Sequence, residues 1–272
     1  MPSFQVYLLS TAGFYIIYRA VFFYIFPIPA SAGLSAILIG FSSTLTRFIG
    51  ITITIYIMTK EDISQIIPLA FTYPVFVAII ALPLLREILY YLQWMAIIVV
   101  VSGAIMVSVK KDFIGATTIL GKNFLILFGV SLLFAFTDIG NKYVLTYLSP
   151  MNMLAFVTLS MCSIFLIVSL RPHVIQELAG IKLERSTTAL IFLNEILTPV
   201  AMVLFFSAMQ NGPVSLVATI HGTRPIFIGL YSLILSRLAP KFLIHTPSKG
   251  LLLLRLVVTA IIVTGIAIIY LA

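Results

Sequence analysis

The sequence predicts an all-α polytopic membrane protein of about nine transmembrane helices, arranged as two inverted repeats of four and five helices. Three observations carry this expectation. Of the 272 residues, 61% are hydrophobic and only 9% charged, against roughly 25% charged in a soluble domain. Such a chain cannot present a wetted surface, and lipid is the solvent it fits. Apolar runs of about 20 residues recur from end to end, each long enough to cross a hydrocarbon core of about 30 Å. Finally, two stretches repeat each other. Ser64-Gln65-Ile66-Ile67-Pro68-Leu69-Ala70-Phe71-Thr72-Tyr73-Pro74-Val75-Phe76 matches Ser215-Leu216-Val217-Ala218-Thr219-Ile220-His221-Gly222-Thr223-Arg224-Pro225-Ile226-Phe227. Laying Pro74 on Pro225 superposes Ser64 on Ser215, Thr72 on Thr223, Phe76 on Phe227 and the closing Arg86 on Arg237.

Taken in order, the apolar runs place helices near 4–27, 33–57, 63–85, 91–109, 122–147, 150–170, 187–209, 213–238 and 250–271, joined by short links. The third and eighth carry the matching prolines, Pro74 and Pro225, which break a helix by removing an N–H and crowding the preceding turn. Val100-Val101-Ser102-Gly103-Ala104-Ile105 in the fourth helix resembles Val263-Thr264-Gly265-Ile266-Ala267-Ile268 in the ninth. The sixth to ninth helices therefore answer to the first to fourth. Residues 1–111 form one copy and 122–272 the other. The fifth helix has no counterpart, so the repeating unit is read as five helices, the first of ten being missing here. Matching helices lie five crossings apart, an odd number, and the two copies must then be upside down relative to each other.

The formal charge is +8. Its basic residues fall in short links between apolar runs, where they act as a topology signal rather than a nucleic-acid footprint. Lys60, Lys110, Lys111, Lys122, Arg171, Lys182, Arg185, Arg237, Lys241 and Lys249 share the side of the N-terminus, against Arg86 and Lys142 on the other. Basic links stay in the cytoplasm, which puts the N-terminus inside. One cysteine, Cys162, excludes an intramolecular disulfide and a thiolate metal cluster. The first apolar run doubles as the insertion signal.

Ionisable groups deep in apolar helices cost roughly 2.5–3.5 kcal/mol at the helix centre unless paired or wetted, and point to function by default. Here they are Arg19, Arg47, Asp138, Lys142, Glu195, Arg224 and Arg255, with His221 close by. Arg224 precedes Pro225, where the backbone is pushed out of the α region, and His221 stands three residues earlier on the same face. Counted from the Gln210-Asn211 turn, Glu195 and Arg224 differ in depth by only about 3 Å, so a Glu195–Arg224 pair is easy to form. It reads either as a structural ion pair or as a site where Arg224 binds an anionic group, with Glu195 as competing partner or proton carrier. Tyr73, the counterpart of Arg224, and Arg47, at similar depth, complete the candidate substrate-binding set. Asp138 has Lys142 one turn on, an i,i+4 pair; it reads as self-neutralising or as a second proton-coupling site beside Glu195.

The same residues resemble the drug/metabolite transporter superfamily, in particular its EamA-type members. The resemblance rests on Tyr73-Pro74-Val75-Phe76, Leu85-Arg86-Glu87, Gln93-Trp94 and Gly103 in the first copy, and on Arg224-Pro225-Ile226-Phe227 and Gly265 in the second. Ala135-Phe136 through Lys142 resembles the family's sixth helix. It implies ten helices around a central cavity, and an orientation opposite to the one the basic links favour. Leu238 stands where the second copy would have a glutamate, and Met95 where the family has glycine.

Zinc-protease helices, aspartate-rich diphosphate sites, Gly-x-Ser-x-Gly elbows and phosphate loops are missing from the sequence, and it is not read as an enzyme. His173, His221 and His245 are too scattered for a metal site; no metal, cofactor or nucleic acid is expected. Inverted repeats with interrupted helices are the architecture of many secondary transporters. The expectation is therefore a multi-pass protein of the cell membrane, its partners the lipid bilayer and a small polar substrate. The buried arginines suggest an anionic or zwitterionic one, such as an amino acid, an organic acid or a sugar phosphate. A homodimer is compatible with this. The alternative is a non-transporting scaffold or subunit derived from a transporter.

Overall fold

The computed structural model describes residues 4–29, 32–58, 73–108, 122–180 and 185–223. Within them the chain forms helices and no strand: α1 (Phe4–Ile25), α2 (Leu34–Met58), α3 (Tyr73–Leu85), α4 (Tyr91–Ser108), α5 (Lys122–Val144), α6 (Pro150–Ser169), α7 (Pro172–Ala179), α8 (Arg185–Asn211) and α9 (Val214–His221). Among the described residues, four segments are long and apolar enough to cross a membrane: Leu34–Ile57, Leu125–Val144, Pro150–Ser169 and Phe192–Asn211. The ninth expected span, 250–271, lies outside the described residues, as do most of the eighth and the first part of the third.

The described residues divide into two compact units. Unit 1 takes those up to Phe48 and those from Gly140 to Asn211; unit 2 takes those from Ile49 to Ile139 and from Gly212 onward. Each unit thus draws on both sequence copies, and the division falls inside α2 and α5.

Unit 1 is built on α6. Ser149 caps it by accepting from Asn152 N at 3.2 Å, and Pro150 occupies the first turn, where its missing N–H costs nothing. The run Met153 to Thr158 is buried on every face. α1 lies along α6, its Ala12 carbonyl 3.8 Å from Cys162 Sγ, and α8 packs on α6 as well. Gly40 of α2 lets Phe156 of α6 approach; a Cβ there would come within 2.5 Å of the ring.

One helix was not expected. Residues 171–186 read as a link, yet they hold α7, which starts on Pro172 and buries Val174 against Val6 and Leu9 of α1. Eight residues are too few to register beside 20-residue apolar runs. What forms the helix is a single apolar stripe that α1 can cover.

In unit 2, α3, α4 and α9 pack on one another around Ala78, Ala96, Ile97, Val101 and Leu216. The end of α2 meets the start of α5 where Ile57 and Ile53 touch Leu127. Polar side chains in α2 hide within their own helix: Ser43 donates to Ile39 O at 2.8 Å, Thr44 to Gly40 O at 3.0 Å and Thr54 to Gly50 O at 2.7 Å. In lipid, hydroxyls must find such partners inside the protein. Gly50 also admits Phe134, whose Cε1 would lie 2.7 Å from an added Cβ. Gly50→Leu should therefore displace that ring and destabilise the protein by about 1–3 kcal/mol, read as a lowered melting temperature in detergent.

Candidate functional site

Unit 2 brings two of the expected site residues together. Tyr73 opens the described part of α3 and is buried; His221 closes α9. The Tyr73 hydroxyl lies 2.8 Å from His221 Nδ1 and 3.3 Å from the Ala218 carbonyl. One hydroxyl proton serves two acceptors here. It can point at Nδ1, or at the carbonyl while an Nδ1–H donates to the phenol oxygen, according to the imidazole tautomer. Phe134 of α5 packs edge-on against the Tyr73 ring at 6.2 Å. Asp138, buried, follows one turn later on the same face of α5.

The local sequence explains this junction. Pro74 sits in the first turn of α3 as described, where proline is tolerated. α9 stops at His221 and turns at Gly222–Thr223, just ahead of Arg224-Pro225. Gly222 caps α9 with an N–H to Ala218 O at 2.8 Å, and a Cβ on it would come within 3.1 Å of Pro74 Cγ. A larger residue would push the two helix ends apart.

The other end of α9 depends on a residue the sequence reading treated only as part of a turn. Pro213 at its N-cap offers no side-chain acceptor. The carboxylate of Glu87 fills the place, accepting from Val214 N at 2.7 Å, Ser215 N at 3.3 Å and Ser215 Oγ at 2.8 Å. An anion on a helix N-terminus meets bare N–H groups and the positive end of the dipole. Glu87 gets there because Arg86 takes a left-handed conformation, φ 54°, directly after α3. The signal was available in principle: a proline cap leaves donors that something must satisfy.

In unit 1 the remaining candidates stay apart. Arg47, half-buried in the middle of α2, makes no hydrogen bond or ion pair among the described residues. Glu195, on α8, has Oε1 3.5 Å from Asn194 Nδ2, while Oε2 is buried with no hydrogen-bond partner among the described residues. Pro199, four residues on, has no N–H, so the Glu195 backbone carbonyl also lacks its helical donor. Glu195 thus has an unpartnered side-chain oxygen and a carbonyl without its helical donor, both within an apolar span. Lys142, one turn after Asp138, donates from Nζ to the C-terminal carbonyls of α8, Met209 O at 2.5 Å and Gln210 O at 3.4 Å. A cation there suits the negative end of the helix dipole. Gln210 returns the contact, donating to Leu145 O at 3.2 Å and Leu148 O at 3.5 Å. Arg224 and Pro225 lie outside the described residues, so the proposed Glu195–Arg224 pair does too. No group of three His, Cys, Asp or Glu that could hold a metal occurs among the described residues.

Glu87→Ala should bare the α9 N-terminus and cost about 1–2 kcal/mol. Tyr73→Phe should cost about 0.5–1.5 kcal/mol. Arg86→Gly, which suits the left-handed turn, should leave stability unchanged or raise it. Thermal melts of the purified variants in detergent check all three.

Compared with known protein families and characterised proteins, the chain matches no family model and no characterised sequence.

Proposed function

We propose that the protein is a multi-pass secondary transporter of the cell membrane, which moves a small anionic or zwitterionic metabolite by alternating access between two inverted copies. The observation that carries this is the packing of α3 on α9. These are the third and eighth helices of the sequence repeat, and they run antiparallel: Tyr73 meets His221 at one end and Glu87 meets Val214 at the other. Matching helices related by a two-fold axis in the membrane plane must cross in opposite directions, and such repeats flank the substrate site in secondary transporters. The sixth helix likewise packs on the first, α6 on α1.

Contacts between helix ends fit nine alternating crossings. Asn152 reaches the Pro27 carbonyl, Gln210 reaches Leu145 and Leu148, and Glu87 reaches Val214. All six of these ends belong to the face opposite the N-terminus in the alternating topology. α7 meets the start of α1 on the other face.

In this reading Arg47 and Arg224 supply positive charge for an anionic group, and Tyr73 and His221 supply hydrogen bonds at the broken helices. Glu195 carries the coupling proton, with Asp138 as the second candidate. The unfilled oxygens at Glu195 support a group that gains and loses a cation during the cycle. The EamA-type resemblance agrees with the same architecture.

The test is uptake and exchange of radiolabelled amino acids, organic acids and sugar phosphates in proteoliposomes. Arg224→Ala and Glu195→Ala should each lower transport at least about tenfold, the Arg224 variant by losing substrate affinity and the Glu195 variant by losing the response to a pH gradient. Undiminished transport in both would overturn the site. A second reading, a non-transporting subunit, draws on the largely uncovered surface of α8. It would be favoured by inactivity on the whole panel together with a stable hetero-complex from native membranes.

A further inference from the structure

The two ends of α9 are held in different ways. The helix has eight residues and is about 12 Å long. Its C-terminal end is pinned by packing. The Tyr73 hydroxyl meets His221 Nδ1 at 2.8 Å, and Gly222 lies so near Pro74 that an added Cβ would stand 3.1 Å from the ring. Its N-terminal end is held by one side chain. Glu87 accepts three hydrogen bonds there, from Val214 N, Ser215 N and Ser215 Oγ. Charge-assisted bonds of this kind are strong, but all three end on a single carboxylate and can be lost together.

The turn that carries Glu87 is strained and loosely tied to its own helix. Arg86 holds φ 54°, a left-handed conformation that a residue with a Cβ adopts only at a cost. The Arg86 side chain does nothing to keep it there. It is exposed and makes no hydrogen bond or ion pair among the described residues. Pro83, near the end of α3, has no N–H to give, and the Glu87 N–H reaches Ala81 O only at 3.5 Å. The grip of the Glu87 carboxylate on α9 is therefore what keeps the turn in this shape. Losing the grip frees Arg86 to relax, and relaxing Arg86 withdraws the carboxylate. One short segment thus has two arrangements, tied to one contact, which is the requirement for a switching element.

We propose that Glu87 is a latch on the membrane face opposite the N-terminus. Engaged on α9, it keeps that face closed. When it lets go, Arg86 relaxes and the start of α9 swings away from α3 and α4 about the Gly222–Pro74 contact. The proposal rests on the alternating-access reading, which supplies the need for a gate; it adds the residue that closes the gate and the strain that helps to open it.

Val214 is fully buried at the latch, and its side chain takes no part in the contact, so Val214→Cys reports release without altering it. The full chain carrying this cysteine is reconstituted in phospholipid vesicles of uniform orientation and treated with a charged methanethiosulfonate from one side or the other. The cysteine should react from the face opposite the N-terminus, and faster than buried Cys162. Glu87→Gln, which keeps the size of the side chain and removes its charge, should speed the reaction about tenfold. Arg86→Gly, which removes the cost of the left-handed turn, should slow it about two- to fivefold. Gly40→Leu, which disturbs Phe156 in unit 1, should leave the rate unchanged while lowering the melting temperature.

A static cap makes the opposite predictions. Val214→Cys would then react no faster than Cys162, or Gly40→Leu would speed it as much as Glu87→Gln does. Either result overturns the latch, as does a faster reaction in Arg86→Gly or reaction from the side of the N-terminus. The labelling needs no substrate, so its failure leaves the transport assay to decide the transport reading independently.

Discussion

The Glu87 carboxylate on the N-terminus of α9 is the contact on which unit 2 depends. A helix that begins with Pro213 brings no cap of its own, and in an apolar protein water is a poor substitute for the missing acceptor. Glu87 supplies it from the turn between α3 and α4, and so binds α3, α4 and α9 to one point. With that end fixed, α9 runs back along α3 until His221 meets Tyr73. The left-handed Arg86 stores of order 1–3 kcal/mol of local strain, which persists because the cap over-determines it.

The two sequence copies differ at the position of Pro213. At the 151-residue spacing Pro213 corresponds to Asp62, a side chain able to cap its own helix, and Glu87 corresponds to Leu238. Where the first copy has an acid in sequence, the second has proline, and its helix start is capped by Glu87 of the first. Unit 1 shows the same economy at the opposite pole: Lys142 and Gln210 join the end of α8 to the turn before α6 through bare carbonyls. Glu87 and Lys142, two charged groups beside apolar helices, thus both serve helix ends. Arg47 makes no hydrogen bond or ion pair among the described residues, and Glu195 Oε2 is buried with no hydrogen-bond partner there.

Much of this was legible in the sequence. Long apolar runs reveal helices because crossing lipid leaves few alternatives, and α2, α5, α6 and α8 fall within a few residues of expectation. Tyr73 came from its alignment with Arg224, and His221 from its place beside the proline. What the sequence hid were partners across helices. The i,i+4 rule considers only the residue's own helix, so it did not show that the Lys142 stem is long enough to reach the end of α8 as well. Glu87 looked like a turn residue because nothing local shows that α9 will arrive beside it. α7 was missed because its one apolar stripe needs α1 to give it meaning.

The central claim is that the two copies are inverted, and the most direct test is the sidedness of matching links. Lys60 and Asn211 are counterparts at the 151-residue spacing. Each is replaced in turn by cysteine and exposed, in intact cells, to a membrane-impermeant thiol reagent. Inversion predicts that one of the two labels from outside and the other only after the membrane is opened, with position 211 the outer one if the basic links lie in the cytoplasm. Labelling of both positions from the same side would contradict the inverted repeat and, with it, the reading of α3 and α9 as halves of one site.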